Sequence, residues 1–369
     1  MRKFLLALIF GAVILHFLLH YIVQMSKSNW PNILLKTHTE KSSPGVIQRR
    51  TQNRIEANVI HFLTGASPSL RVPVGDKKED HITESCFNPN YMSLLQMPVI
   101  NPFLCPGYLK QTTEENSRKM DLPYGIRNGE RYLRMVFSKL KNCGLPSNIS
   151  NSCRKCIVVG SGGVLKNKTL GSKIDSYDIV IRMNDAPVVG YEADVGSKTT
   201  FRFCYPESIM SDPLHYDPKS TIVLLAFKPH DVKWLSDLLL NKRASTFGFW
   251  RKPPLKMMYE SQQIRILNPV IFREVAHGFL NFPKLFPKNE KPKHPTTGLI
   301  GITFAFHICN EVHIAGFKYN LTSQNSSLHY YGNDTMTFMT KTEYHNVTAE
   351  QMLLKDFVEK KTVINLTPD

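Results

Sequence analysis

Apolar and polar positions divide the chain into three stretches. Phe4–Val23 is a continuous apolar run of 20 residues that contains no Lys, Arg, Asp or Glu. Residues 24–85 are mostly solvating sequence, with Ser26-Lys27-Ser28, Lys36–Ser43 and Asp76-Lys77-Lys78-Glu79-Asp80 as its most polar parts and Val59–Leu63 as a short patch of helical character. From Cys86 the texture is that of a packed domain. Tyr132, Leu133, Val136, Phe137 and Leu140 recur at helical spacing. Four short β-branched runs follow, Ile157–Val159, Ile179–Ile181, Thr221–Leu225 and Val312–Ala315, each nearly continuous in apolar residues, as in strands buried on both faces. Helical patterns over Val232–Leu240 and Gly298–Cys309 lie among them, so the spacing predicts an α/β domain with a mostly parallel sheet. Pro253-Pro254 and Phe282–His294 read as surface loops.

The first stretch sets the cellular context. At about 1.5 Å per residue, 20 residues span about 30 Å, the thickness of a bilayer core. A cleaved signal peptide has a shorter apolar region and ends at small residues, whereas this run ends in His-Tyr-Ile-Val-Gln-Met. Basic residues lie on both sides of it, so charge does not orient it. The sequons do: seven Asn-x-Ser/Thr sites follow the run, and none of the seven cysteines lies within it. Glycan acceptors and disulfides belong to a luminal, oxidising compartment. The expected organisation is a cytosolic tail at 1–3, a transmembrane signal-anchor at 4–23, a stem at 24–85 and a luminal catalytic domain at 86–369, that is, a type II membrane protein. Asn148, Asn320, Asn325 and Asn333 are the glycosylation candidates; Asn167, Asn346 and Asn365 stand in less suitable sequence.

Net charge adds a partner class. The formal charge of +16 suits an anionic partner, whether nucleic acid, membrane or a negatively charged substrate. Cys153-x-x-Cys156 lacks the second pair that a zinc site would need.

Three places carry chemistry. Gly160-Ser161-Gly162-Gly163 directly follows a strand pattern. Glycine there permits close approach by a phosphate or ribose, or simply a tight turn. The dinucleotide fingerprint is incomplete, with Leu165 where a small residue belongs, and Asn184 and Asp185 are the nearest groups to hold a ribose. Gly196-Ser197-Lys198-Thr199 fails the phosphate-loop spacing, which leaves Lys198 a positional role. Thr296 or Thr297 after Pro295 can cap the helix that follows, and a helix start with free amides is an anion site. His329-Tyr330-Tyr331-Gly332 and His345-x-x-x-x-Glu350 offer two histidines as general base or metal ligands. Their spacing is not that of a helical metal pair, and no Asp-x-Asp occurs in the chain. On these residues alone, a nicotinamide-dependent oxidoreductase and an anchored, non-catalytic lectin stay open as alternatives.

Taken together, these blocks resemble the four signature motifs of the animal sialyltransferases. Cys156–Cys204 is similar to the large motif, His294–Phe317 to the small one, His329–Gly332 to the third and His345–Glu350 to the last. The resemblance covers about Cys86–Asp369. Within the family it is strongest to the β-galactoside α-2,3 branch, type VI before type IV, through Asp121-Leu-Pro-Tyr-Gly125, Phe286-Pro-Lys-Asn289, Lys291–Gly298 and Phe317-Lys-Tyr-Asn320. It implies a single Rossmann-like sheet flanked by helices, a GT-A-like variant. It also implies inverting, metal-independent transfer of sialic acid from CMP-sialic acid, without a cofactor, to terminal β-galactose in the Golgi. The expected acceptor is Galβ1-4GlcNAc on glycoproteins or glycolipids, and nucleic acid is no partner. Carried over by motif, Asn184 and the backbone at Ser161 would hold the nucleotide. Thr296, Thr297 and Gly298 would contact the donor, and Gly316 would line the base or ribose. His329 would stabilise the CMP phosphate, His345 would be the general base, and Glu350 would orient the last motif. Cys156 and Cys309 match the family's disulfide, and Cys204 is expected free. The chain departs from the family's pattern at Ser161, where many relatives have Asn, at Gly332, often acidic elsewhere, and at His294, where some relatives have a tyrosine.

Overall fold

The computed structural model describes residues 89–95, 101–109, 119–147, 149, 153–285, 290–318 and 325–368. All of these fall in one compact unit, Glu79–Asp369. The expected anchor at 4–23 and stem at 24–85 lie outside the described residues, among which no helix is long and apolar enough to cross a membrane.

The apolar runs assemble into one sheet of seven strands. These are β1 (Lys155–Val159), β2 (Ile179–Met183), β3 (Phe201–Cys204), β4 (Thr221–Leu224), β5 (Ile264–Ile266), β6 (Glu311–Ala315) and β7 (Ile364–Asn365), ordered β5-β4-β3-β2-β1-β6-β7. Every strand pair is parallel. The expected strands are thus β1, β2, β4 and β6. Phe201–Cys204 is a further strand, absent from the four apolar runs of the sequence. Its polar member is Arg202, whose Nη1 donates to the carbonyls of Asn184 and Ala186 at 2.8 and 2.9 Å, so a buried charge sits inside a strand at little cost. Arg265 does the same in β5, donating to the Gly144, Gln262 and Ile264 carbonyls.

Alternate residues of the strands feed two opposite layers, as the two-residue period requires. Cys156, Val158, Ile181, Phe201 and Phe203 face one core, and Ile157, Val159, Val180, Ile222 and Leu224 face the other. Four helices matter for the site: α1 (Glu130–Phe137), α2 (Pro229–Leu239), α3 (Thr297–Ile308) and α4 (Val347–Glu359). Helix α3 is buried along its whole length from Leu299 and lies on the first layer. Gly301 lets it approach the sheet, since a Cβ there would stand 2.8 Å from the Met183 Cε. Helices α1 and α2 belong to the second layer through Leu133, Val136, Val232, Trp234 and Leu235.

Two disulfides join described cysteines. Cys156–Cys309 ties β1 to the residue after α3, and Cys105–Cys143 closes an outer loop. Cys153 is disulfide-bonded too, so neither cysteine of the Cys-x-x-Cys pair is a thiolate for metal, while Cys204 is free and buried. From β1 the chain runs outward through β2 to β5, then returns to place β6 on the other side of β1. In an open parallel sheet, ligands bind outside the carboxyl ends of the strands at such a reversal.

Candidate active site

The glycine turn lies at that reversal. Gly160 and Gly162 donate their N–H groups to the carbonyls of Ala315 and Gly316 at 2.8 and 3.0 Å. On the other side, Gly163 N–H reaches the Leu328 carbonyl and the Ser161 carbonyl accepts from Tyr330 N–H, both at 3.0 Å. A Cβ at residue 160 or 162 would stand 2.5 Å from the Gly316 oxygen, and one at residue 163 would stand 2.4 Å from the Ser327 oxygen. Glycine is therefore required by three main chains passing side by side. Gly316 itself has φ +79° and packs against Leu165. The same contacts place His329 opposite Gly162 in a short antiparallel bridge. Its ring stacks on Tyr331 at 5.0 Å, and the Tyr331 phenol interacts with the Ser161 hydroxyl. Burial holds the His329 imidazole below its usual pKa, against the upward pull of Asp334 and Asp185.

Asn184 follows β2 in the left-handed region, φ +53°, with its N–H on the Phe203 carbonyl at 2.7 Å. Its side-chain Oδ1 is buried and has no hydrogen-bond partner among the described residues. Such an atom is costly unless a ligand or water takes it, so the Asn184 Oδ1 is available to accept from a donor group. Asp185 is not: its carboxylate accepts from Arg251 Nη2 at 2.7 Å. Lys198 is likewise engaged, on the Tyr177 carbonyl.

The second cluster surrounds the start of α3. Thr296 is the N-cap, its Oγ1 accepting from Leu299 N–H. Its own N–H and O–H donate to the Glu350 carboxylate on α4 at 2.8 and 2.5 Å. Burial pushes the Glu350 carboxyl up to about 7, against the lowering effect of the two Thr296 bonds. Thr297 and Gly298 are partly buried at the helix start. Gly298 is sterically fixed, since a Cβ there would stand 2.6 Å from the Phe317 ring. That ring also lies beside Gly160, so Phe317 bridges the two clusters.

His345 precedes α4, and its Nδ1 lies 2.8 Å from the His294 carbonyl. A carbonyl only accepts, so Nδ1 carries the proton and Nε2 keeps its lone pair. Burial lowers the His345 pKa, with the bond to His294 acting the other way. The ring is therefore a neutral base at neutral pH. His294 lies lower still, at about 4, from burial and then from His345 nearby.

The structure thus gathers Ser161, Gly316 and His329 in one cluster and Thr296, Thr297, Gly298, His345 and Glu350 in the other, with Asn184 just after the adjacent strand β2. Sequence reasoning missed Phe317, Tyr331 and Tyr124. Tyr124 lies 170 residues from the histidine it touches, a separation at which no spacing rule works. Among the described residues, no group of His, Cys, Asp and Glu side chains could hold a metal ion. Of the glycosylation candidates, Asn325 and Asn333 are exposed, and Asn148 and Asn320 lie outside the described residues. The Asn346 side chain caps α4 by accepting from Ala349 N–H at 3.2 Å.

Comparison with known proteins identifies the family and the fold. Residues 108–362 match Glycosyltransferase family 29 (sialyltransferase). The chain is 54% identical over 314 residues to the human type 2 lactosamine α-2,3-sialyltransferase, covering 84% of this chain and 95% of that one. It is 43% identical over 250 residues to human CMP-N-acetylneuraminate-β-galactosamide-α-2,3-sialyltransferase 4, covering 67% of this chain and 74% of that one. Among solved structures, a mammalian sialyltransferase superposes with a TM-score of 0.59 at 25% identity, covering 76% of this chain and 94% of that one. The motif resemblance, type IV in second place included, stands. The chain belongs to glycosyltransferase family 29, the sialyltransferases.

Proposed function

We propose that this enzyme transfers sialic acid from CMP-sialic acid, in α-2,3 linkage, to the terminal galactose of Galβ1-4GlcNAc chains on glycoproteins or glycolipids. The observation that carries the mechanism is the His345–His294 contact, which leaves the His345 Nε2 lone pair free. The galactose 3-hydroxyl is a weak nucleophile. As its oxygen bonds to the anomeric carbon of sialic acid, His345 takes the hydroxyl proton and the bond to the CMP phosphate oxygen breaks. Attack opposite the leaving group inverts the centre. A positioned general base contributes about 10²–10⁴-fold.

The leaving phosphate gains charge in this step. The amides at the start of α3 and the His329 ring are the groups that stabilise it, while Asn184 and the Ser161 backbone hold the nucleotide. CMP leaves readily, so neither a metal nor a cofactor is invoked. The acceptor assignment is supported by the type 2 lactosamine specificity of the human and rat relatives, 54% and 53% identical to this chain. The disulfides support a luminal catalytic domain, with residues 4–23 as a type II Golgi anchor.

The test is a transfer assay with full-length protein and CMP-sialic acid over Galβ1-4GlcNAc, Galβ1-3GlcNAc and Galβ1-3GalNAc, with linkage analysis of the products. Preferred α-2,3 product on Galβ1-4GlcNAc is expected. No product, or α-2,6 linkage, would reject the reading.

A further inference from the structure

Beside the base stands a pair of side chains to which the proposed mechanism gives no task. His294 is bound three ways. Its N–H donates to the Tyr344 carbonyl at 2.9 Å, its carbonyl accepts from His345 Nδ1 at 2.8 Å, and its ring Nδ1 lies 3.1 Å from the Tyr124 hydroxyl. Tyr124 is itself held, its main-chain carbonyl accepting from Arg273 Nη1 at 2.7 Å. Its ring lies against those of His277 and His294, and Phe227 also packs edge-on against His294. The Tyr124 hydroxyl has no other hydrogen-bond partner among the described residues.

Burial keeps the Tyr124 phenol protonated, with its pKa pushed up to about 12. A neutral phenol and a neutral imidazole share one hydrogen bond in either ring tautomer. The Tyr124 hydroxyl therefore fixes the orientation of the His294 ring, and with it the peptide whose carbonyl sets the tautomer of His345.

We infer that Tyr124 and His294 are positioning residues for the base: the tyrosine hydroxyl anchors the His294 ring, and the His294 carbonyl anchors His345 with its Nε2 free. This rests on the reading of His345 as general base. The consequence is that Tyr124 and His294 act on turnover rather than on substrate affinity, and that Tyr124 acts only through the His294 ring.

The experiment uses full-length Tyr124→Phe, His294→Ala and the double variant in the transfer assay. Tyr124→Phe keeps the ring packing and removes one hydroxyl. It is expected to lower kcat about tenfold, the effect of one lost hydrogen bond to a reacting group's support. KM for donor and acceptor should stay within about twofold, and the melting midpoint within about 2 °C. In the His294→Ala background the same change should have no further effect on kcat. Wild-type kcat in Tyr124→Phe, a loss expressed in KM alone, or an equal Tyr124→Phe loss in both backgrounds overturns the inference. An inactive His345→Ala beside an unaffected Tyr124→Phe removes this inference alone, whereas an active His345→Ala removes the base reading beneath it.

Discussion

Glu350 holds Thr296 by two hydrogen bonds, from the N–H to Oε1 at 2.8 Å and from the hydroxyl to Oε2 at 2.5 Å. One contact thus joins the first turn of α4 to the cap of α3, 54 residues earlier. It couples the segment that carries His345 to the helix start proposed to face the donor phosphate.

The buried carboxyl makes that coupling pH-dependent. Its pKa rises from 4.5 to about 7, mainly through burial. Between those values the folded protein holds a proton that the unfolded chain has released, so stability falls as pH rises through this window. The loss is at most about 3 kcal/mol. Glu350→Gln, which cannot titrate, is expected to flatten the melting midpoint between pH 5 and pH 8 relative to wild type. An identical slope in both proteins would contradict this.

His345→Ala is expected to reduce kcat by about 10²–10⁴-fold while CMP still binds, as read by calorimetry. In wild type, burial places the His345 pKa below the usual 6.5. The acid limb of the kcat profile should accordingly lie below that value, because only the neutral imidazole accepts the proton. A limb centred above it would contradict the assignment.

Gly162→Ala tests whether the glycine turn is structural. The new methyl would stand 2.5 Å from the Gly316 carbonyl oxygen, a main-chain atom in a strand exit that cannot yield cheaply. We expect a loss of about 1–3 kcal/mol, typical of overpacking and strain in a core, measured by urea unfolding. Unchanged stability with a raised donor KM would return the turn to a purely ligand-binding role.

Cys309→Ala should be costly as well. The Cys156–Cys309 bond closes a loop of 153 residues and fixes the end of α3 to β1. Loss of about 2–5 kcal/mol is expected from the freed unfolded chain, visible as a lower melting midpoint in non-reducing buffer.

Transfer should persist in excess EDTA, since the mechanism uses His345 and the amides of α3 in place of a divalent ion. A strict metal requirement, restored by Mn²⁺ or Mg²⁺, would overturn the expectation drawn from the missing Asp-x-Asp.

Much of this molecule is legible in its residues because the signals are local. The strands β1, β2, β4 and β6, the helix after Thr296 and the α/β class follow from apolar runs and cap chemistry, which act over a few residues. The motif blocks and the Cys156–Cys309 pairing were legible by resemblance. Tertiary structure decided what depends on distant partners. It lets Phe201–Cys204 form a strand because the carbonyls of Asn184 and Ala186 accept hydrogen bonds from Arg202. It gives the glycine turn its cause in the Gly316 and Ser327 main chains. It engages Asp185 with Arg251 and leaves the Asn184 oxygen open. It also sets the protonation of His345 through the His294 carbonyl. Hydrogen bonding and desolvation act through space over a few ångströms, and separations of 16 to 170 residues between such partners leave no periodic trace in the chain.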